Sequence, residues 1–264
     1  MTIDVDAYLE RIGYAGPREP TTDVMRVLQR AHLIAAPFEN LDINPGGTPI
    51  SLEIDAIFDK VVRRRRGGFC YELNGLFAAM LQQLGFDVTL VSARVARAGG
   101  DFGPEFDHLA LVVRTDATYL ADVGFGDFSV EPLEIGKEGP QSPVAGGRAY
   151  RVDPLGTGDW LSRAPTDEGG WQDGYRFSLT SRALADFEPQ CRWFETHPES
   201  NFLTRRVCSI ATPSGRVTLT GVELIVTRDG VRETTPIEGD EKWAAALAEH
   251  FGITLPSDTS RIGS

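Results

Sequence analysis

The hydrophobic period of the chain changes once, near Phe86, and that change limits the folds open to it. Before Phe86, apolar residues recur at helical spacing. Val5, Leu9 and Ile12 share one face of a short helix that Gly13 ends. Thr21 or Thr22 caps a second helix carrying Val24, Val27, Leu28 and Ala31. Ile54, Ile57, Phe58, Val61 and Val62 mark a third. Leu73, Leu76, Phe77, Met80, Leu81 and Leu84 mark a fourth, ended by Gly85. After Phe86 come β-rich runs: DVTLVSARV, HLALVVRT, TYLADVGFG, RAYRVD and YRFSLTS. GKEGPQSPVAGG and SRAPTDEGG read as exposed loops between them. A helix from about Asp186 to His197, a hairpin of RRVCSIAT and RVTLTGVELIVTRDG turning at Thr212–Gly215, and a helix from about Asp240 to Phe251 complete the pattern. Helices, then strands, then a mixed segment describe an α+β protein rather than a βαβ alternation.

Several function classes drop out on charge and cysteine use. The 264 residues carry a formal net charge of −12, which argues against a nucleic-acid or anionic-membrane partner. The run Arg63–Arg66 closes a helix, where cations complement the negative end of the dipole. Cys70, Cys191 and Cys208 are widely spaced, with no CxxC, so neither a disulfide framework nor a structural zinc site is expected. The segment MTIDVDAYLERIGY lacks the features of a signal peptide, and no apolar run approaches the roughly 18 residues of a membrane span. A cytoplasmic protein without bound cofactor or metal is the expectation; oligomeric state is left open.

Cys70, in RRRRGGFCYELNGLF, has two readings. As a small apolar residue it would sit in the core, where free cysteine is common. As a nucleophile it would use its place at the start of the fourth helical pattern, where unpaired N–H groups and the dipole favour a thiolate. Gly67 and Gly68 allow close approach of backbone or ligand, and Phe69 and Tyr71 could wall a pocket. A nucleophile needs a base, and the base an orienting group. Of the four histidines, His108 opens the clearest buried strand pattern. Asp122 follows on the next strand run, and a buried aspartate is costly unless paired. Consecutive strands usually neighbour one another, so Asp122 could hold His108, and His108 could deprotonate Cys70.

The segments PFENLD (Pro37–Asp42), RRGGFCYELNGLF, DHLALVV (Asp107–Val113), YLADVGFGD (Tyr119–Asp127), Thr212–Gly215 and YLERIGY together resemble the arylamine N-acetyltransferase family in order and spacing over nearly the full length. The resemblance is weakest from Gly136 to Gly174 and over the last ten residues. It implies a papain-like cysteine transferase fold with a helical N-terminal domain (1–85), a β-barrel middle domain (86–185) and an α/β C-terminal lid (186–264). It implies a Cys70–His108–Asp122 triad and two-step acyl transfer from acetyl-CoA, a co-substrate, to an arylamine or arylhydrazine. Phe38, Phe69 and Phe125 would line an aryl pocket or serve as core aromatics. Gly126, Thr212 and Ser214 match family positions near the CoA site, and Phe202 would stand beside the same cleft. Glu39 and Arg66 are expected to form a buried ion pair that locks PFEN to the cysteine loop, and Cys191 and Cys208 to be structural. Amide synthases of ansamycin biosynthesis share the triad and are the nearest alternative. A cysteine protease or transglutaminase, and a non-enzymatic binding protein, are further ones.

Overall fold

The computed structural model describes residues 2–43, 49–142, 148–166 and 168–255. The chain opens with α1 (Val5–Arg11), capped by the Asp4 side chain, and α2 (Thr22–Ala35), capped by Thr21 Oγ1. A two-residue strand, β1 (Phe38–Glu39), leads to α3 (Ile54–Phe58), which widens into a π-helical turn over Asp59–Arg63. Then comes α4 (Cys70–Gln83). This helix is apolar on nearly every side, and Leu73, Leu76, Phe77, Met80 and Leu81 are fully buried. A helix of that kind must be central to its core, and each such side chain contributes about 1.5–3 kcal/mol by leaving water.

Seven strands follow the helices: β2 (Asp87–Val95), β3 (His108–Arg114), β4 (Thr118–Ala121), β5 (Leu133–Glu134), β6 (Arg151–Pro154), β7 (Trp160–Pro165) and β8 (Trp171–Ser181). They form one antiparallel sheet in the order β5-β4-β3-β2-β8-β7-β6, and its two edges approach each other, so the sheet curls into a nearly closed barrel. In β3 alternation has both faces occupied. Leu111 and Val113 join the core around α4, while Ala110 and Val112 join the barrel interior. A strand buried on both sides reads as a continuous apolar run, which is what HLALVV is.

A 3₁₀ turn (Leu184–Phe187), α5 (Glu188–Thr196) and α6 (Asn201–Thr204) lead into the second sheet. It contains β9 (Val207–Thr212), β10 (Gly215–Thr220), β11 (Glu223–Arg228) and β12 (Val231–Pro236), in the order β1-β9-β10-β11-β12. The final helix, α7 (Asp240–Phe251), ends at Gly252 in the left-handed region (φ 65°) and packs Trp243, Leu247 and Phe251 on Leu219 and Cys208. No helix among the described residues is long and apolar enough to cross a membrane. The strand β1 matters most for function. Phe38 pairs with Ser209 on one side and bridges Gly68 on the other, so it ties the second sheet to the loop that carries Cys70.

The elements differ from the sequence reading in several places, among them the second arm of the expected hairpin, RVTLTGVELIVTRDG, which folds back on itself as two antiparallel strands, β10 and β11. The third helical pattern changes to a π turn at Asp59, which turns the Lys60 side chain inward. The strand in TYLADVGFG stops at Ala121, because Asp122 and the glycines after it leave the ladder to build a turn. Ser162–Pro165 of the expected loop SRAPTDEGG lie in β7, paired with β8. Neither β1 nor β12 has an apolar pattern: β1 is two residues long, and every residue of β12 is exposed on the sheet edge. In the two expected loops, residues 143–147 and Asp167 lie outside the described residues.

Candidate active site

Cys70 is the first residue of α4, with Phe69 as N-cap. The approach to this position is set by backbone fit. The Glu39 N–H donates to the Gly68 carbonyl at 2.9 Å, and the Gly68 N–H to the Pro37 carbonyl at 3.3 Å. A Cβ at Gly67 would lie 1.9 Å from the Pro37 carbonyl oxygen, so only glycine lets the two segments run side by side. The turn is then fastened by charge. Glu72 Oε2 accepts the Phe69 N–H at 3.0 Å, and Lys60 Nζ donates to Glu72 Oε1 at 2.9 Å. Lys60 Nζ also meets Asp42 Oδ2 at 2.8 Å, and Arg66 Nη2 meets Glu39 Oε1 at 2.8 Å and Asp42 Oδ1 at 2.9 Å. The expected Glu39–Arg66 pair is therefore present. It belongs to a five-charge network that also holds Lys60, Glu72 and Asp42. Burial raises the Asp42 carboxyl, but Lys60 and Arg66 outweigh it and bring the group down to about 2.

His108 opens β3, opposite Ala93 of β2, and its Nε2 lies 2.7 Å from Asp122 Oδ2. Cys70, His108 and Asp122 are 4%, 2% and 4% exposed, so all three sit at the interior boundary of α4 and the barrel. The Asp122 carboxylate accepts three further bonds. Asn74 Nδ2 donates to Oδ1 at 2.9 Å, the Gly124 N–H to Oδ1 at 2.8 Å, and the Tyr175 hydroxyl to Oδ2 at 2.8 Å. Burial alone would raise this carboxyl; His108, Asn74 and the Gly124 N–H together hold it below the usual range. Asn74 also donates to the Leu109 carbonyl at 2.7 Å and accepts the Val123 N–H at 2.8 Å, so one turn of α4 fixes both β3 and the Asp122 turn. Gln29 on α2 accepts the Asp122 N–H at 3.4 Å from beneath.

Burial pushes the Cys70 thiol well above its ordinary value, and the Leu109 N–H directed at the sulfur opposes that shift. A thiolate here therefore requires help from the helix N-terminus and from a base able to take its proton.

The aromatic candidates divide into two groups. Phe38, Phe69 and Phe202 belong to the cluster that includes Cys70; Phe202 is 6.4 Å from Phe38 and 6.4 Å from Phe69, between ring centroids. Phe69 is fully buried, whereas Phe38 and Phe202 are half-buried. Phe125 is also half-buried but sits across His108, at 5.1 Å from its ring and 4.9 Å from Tyr175. Gly126 takes a φ of 88°, and the adjacent Asp127 pairs with Arg216 of β10 at 3.4 Å. That contact brings the glycine turn next to the Thr212–Gly215 hairpin, where Thr212 is half-buried and Ser214 exposed. Cys191 and Cys208 are buried free thiols, Cys208 in the cluster under α7 and Cys191 in the aromatic one.

Sequence reading missed Asn74, Tyr175, Lys60 and Glu72. Asn74 is four residues from Cys70, one helical turn along the same face, and was legible on that ground. Tyr175 comes from a distant strand and carries no local signal.

A family model described as N-acetyltransferase matches residues 21–260. The arylamine N-acetyltransferase of Mycolicibacterium smegmatis is 35% identical over 261 residues, covering 97% of this chain and 94% of that protein. The chain belongs to the arylamine N-acetyltransferase family. It is accordingly an acyltransferase, and its α+β architecture is the family's. The arylamine N-acetyltransferase of Nocardia farcinica superimposes with a TM-score of 0.88 at 35% identity, over 98% of this chain and 92% of that one. The Mycobacterium marinum arylamine N-acetyltransferase, solved in complex with CoA, gives 0.87 at 34% identity, over 99% and 95%.

Proposed function

We propose that this arylamine N-acetyltransferase family member moves an acetyl group from acetyl-CoA to an arylamine or arylhydrazine in two steps through Cys70. The observation that carries the reading is the hydrogen-bonded His108–Asp122 pair at the N-terminal end of α4, where Cys70 begins the helix. Asp122 accepts from Nε2, which leaves Nδ1 as the imidazole nitrogen able to take a proton. In the first step His108 removes the thiol proton, and the Cys70 sulfur attacks the thioester carbonyl. The Cys70 backbone N–H, which as the first of the helix has no intrahelical acceptor, faces the oxyanion that forms. Collapse expels CoA as a thiolate, which receives the proton from His108. In the second step the amine attacks the acetyl-cysteine, His108 takes the amine proton, and the Cys70 thiolate leaves. Exchange of one thioester for another is nearly balanced, so the intermediate stays reactive.

The same reading lines the aryl pocket with Phe38, Phe69 and Phe125. It places CoA along Gly126, Thr212, Ser214 and Phe202, supported by the contact between the Gly126 turn and the β9–β10 hairpin. CoA in the M. marinum structure supports acetyl-CoA as donor here. The reading also divides the chain near residues 85 and 185, close to the end of α4 and the end of β8, and puts the enzyme in the cytoplasm, acting on foreign amines.

The test is an intact mass after mixing with acetyl-CoA alone, beside Cys70→Ala. An acetyl adduct on the wild type only establishes the covalent step. No adduct, with Cys70 still alkylated rapidly, would mean a different acyl donor. No adduct and an inert Cys70 would overturn the reading.

A further inference from the structure

Asn40, the last residue of PFEN, has no part in the acyl-transfer steps, yet it is 3% exposed and both polar atoms of its side chain are bonded. Nδ2 donates to the Phe202 carbonyl at 3.0 Å and to the Arg205 carbonyl at 2.7 Å. Oδ1 accepts the Val207 N–H at 2.8 Å, and the Asn40 N–H donates to the Val207 carbonyl at 3.3 Å. These partners run from α6 into the start of β9. A helix of four residues cannot satisfy the carbonyls at its own end, and Asn40 supplies the donors they lack.

Phe202 is held at both of its backbone groups. Ser200 Oγ accepts its N–H at 3.3 Å and donates to the Phe194 carbonyl at 2.7 Å, which ties the start of α6 to α5. Asn40 takes its carbonyl. The ring then meets three others. Its centroid lies 5.0 Å from Phe194, edge-on at 87°, and 6.4 Å from both Phe38 and Phe69. All four rings pack in the cluster that contains Cys70, and Phe69 is its neighbour in the chain. Phe202 is half-buried, so part of its ring stays open to a ligand.

We propose that Asn40 is a positioning residue for aryl groups: it holds Phe202 against Phe38 and Phe69, and the ring so placed favours aryl over alkyl partners at Cys70. An aromatic pair at these spacings changes an affinity by about two- to tenfold. The inference rests on Cys70 being the acylated group, so its test uses two readouts, one of which needs no acyl transfer.

The variants are Asn40→Ala, Asn40→Ser as a second form should the first fold poorly, Phe202→Leu, and the double variant Asn40→Ala/Phe202→Leu. The first readout is acetyl transfer to phenylhydrazine against methylhydrazine. In Asn40→Ala the ratio of their kcat/KM values falls by about two- to tenfold, through a higher KM for phenylhydrazine. Phe202→Leu shows the same fall, and the double variant falls no further, because one residue acts through the other. The second readout is alkylation of Cys70, followed on its own peptide, by iodoacetanilide against iodoacetamide, whose rate ratio moves in the same direction. A purely structural Asn40 would slow both members of each pair alike. Unchanged ratios in a folded Asn40 variant overturn the proposal, as do effects that multiply in the double variant. A shifted alkylation ratio with no transfer to any acceptor would uphold the positioning role and sink the acyl-transfer reading.

Discussion

His108 and Asp122 meet through Nε2 and Oδ2 at 2.7 Å, and that choice of nitrogen decides the tautomer. An ionised carboxylate only accepts, so Nε2 carries the hydrogen and Nδ1 carries the lone pair. Asn at position 122 can present its N–H₂ instead, which favours the opposite tautomer. Asp122→Asn should therefore lower the acetylation rate by about 10³- to 10⁴-fold, the order found when a triad aspartate is neutralised. Its melting temperature should change little, because the bonds from Asn74 and Gly124 can persist on the amide oxygen. Stopped-flow acetylation and a thermal melt check both parts. A rate loss under tenfold would remove Asp122 from the mechanism.

The Tyr175 hydroxyl tunes the same carboxylate. It donates to Oδ2 at 2.8 Å, and a hydrogen bond to a charged group is worth about 1.5–3 kcal/mol. Asp122 already lies below the usual carboxylate range, so its ionised form is present above its folded pKa and lost as pH falls through it. Removing one donor lets that pKa rise. In Tyr175→Phe the acid limb of kcat/KM should therefore move to higher pH. A limb that stays in place, or moves to lower pH, would show that Tyr175 serves packing alone.

How much of this was legible in the sequence follows from where each signal resides. Cys70, His108 and Asp122 each break a local pattern: a thiol at a helix start, an imidazole at a strand mouth, a carboxylate in an apolar run. The ends of α7 and β2 were equally clear, because amphipathic period and glycine stops are local. Tyr175 was invisible because it reaches Asp122 only when β8 pairs with β2. Lys60 reads as a solvent-facing lysine until the π turn rotates it toward Glu72. The strand β1 exists only because the second sheet and the glycine loop hold it from both sides.

The charge network under Phe69 should govern folding rather than chemistry. The Glu39 side chain is completely buried; it accepts from Arg66 through Oε1, and Oε2 takes the Leu41 N–H at 2.8 Å. Removing Glu39 leaves the part-buried Arg66 with Asp42 as its remaining carboxylate and takes the acceptor from the Leu41 N–H, and breaking a buried pair in this way costs about 3–5 kcal/mol. Glu39→Ala should lose most of its soluble, folded protein, and any folded remainder should melt well below wild type. Differential scanning calorimetry and soluble yield measure this. Normal melting with normal activity would show that the network is not structural.

Gly124 offers a sharper separation of fold from chemistry. A Cβ there would lie 2.7 Å from Cys70 Cα, 2.8 Å from Asn74 Nδ2 and 3.0 Å from the Cys70 carbonyl oxygen. None of the three can yield cheaply. The first and last belong to the backbone that opens α4, and Asn74 is bonded to Leu109, Asp122 and Val123. The φ of Gly124 is not in the left-handed region, so the cost of Gly124→Ala is crowding alone. Overpacking of this kind costs about 1–3 kcal/mol. It also pushes Cys70 away from His108, and a misplacement of about 1 Å can cost 10²-fold in rate. Gly13→Ala is the control: Gly13 has a φ of 68° with nothing within 4 Å of its Cβ, so it pays a similar stability cost far from Cys70. Both variants should melt a few degrees lower, while only Gly124→Ala loses about a hundredfold in acetylation rate. Equal activity in the two would mean that α4 and the Asp122 turn can part without disturbing the thiol.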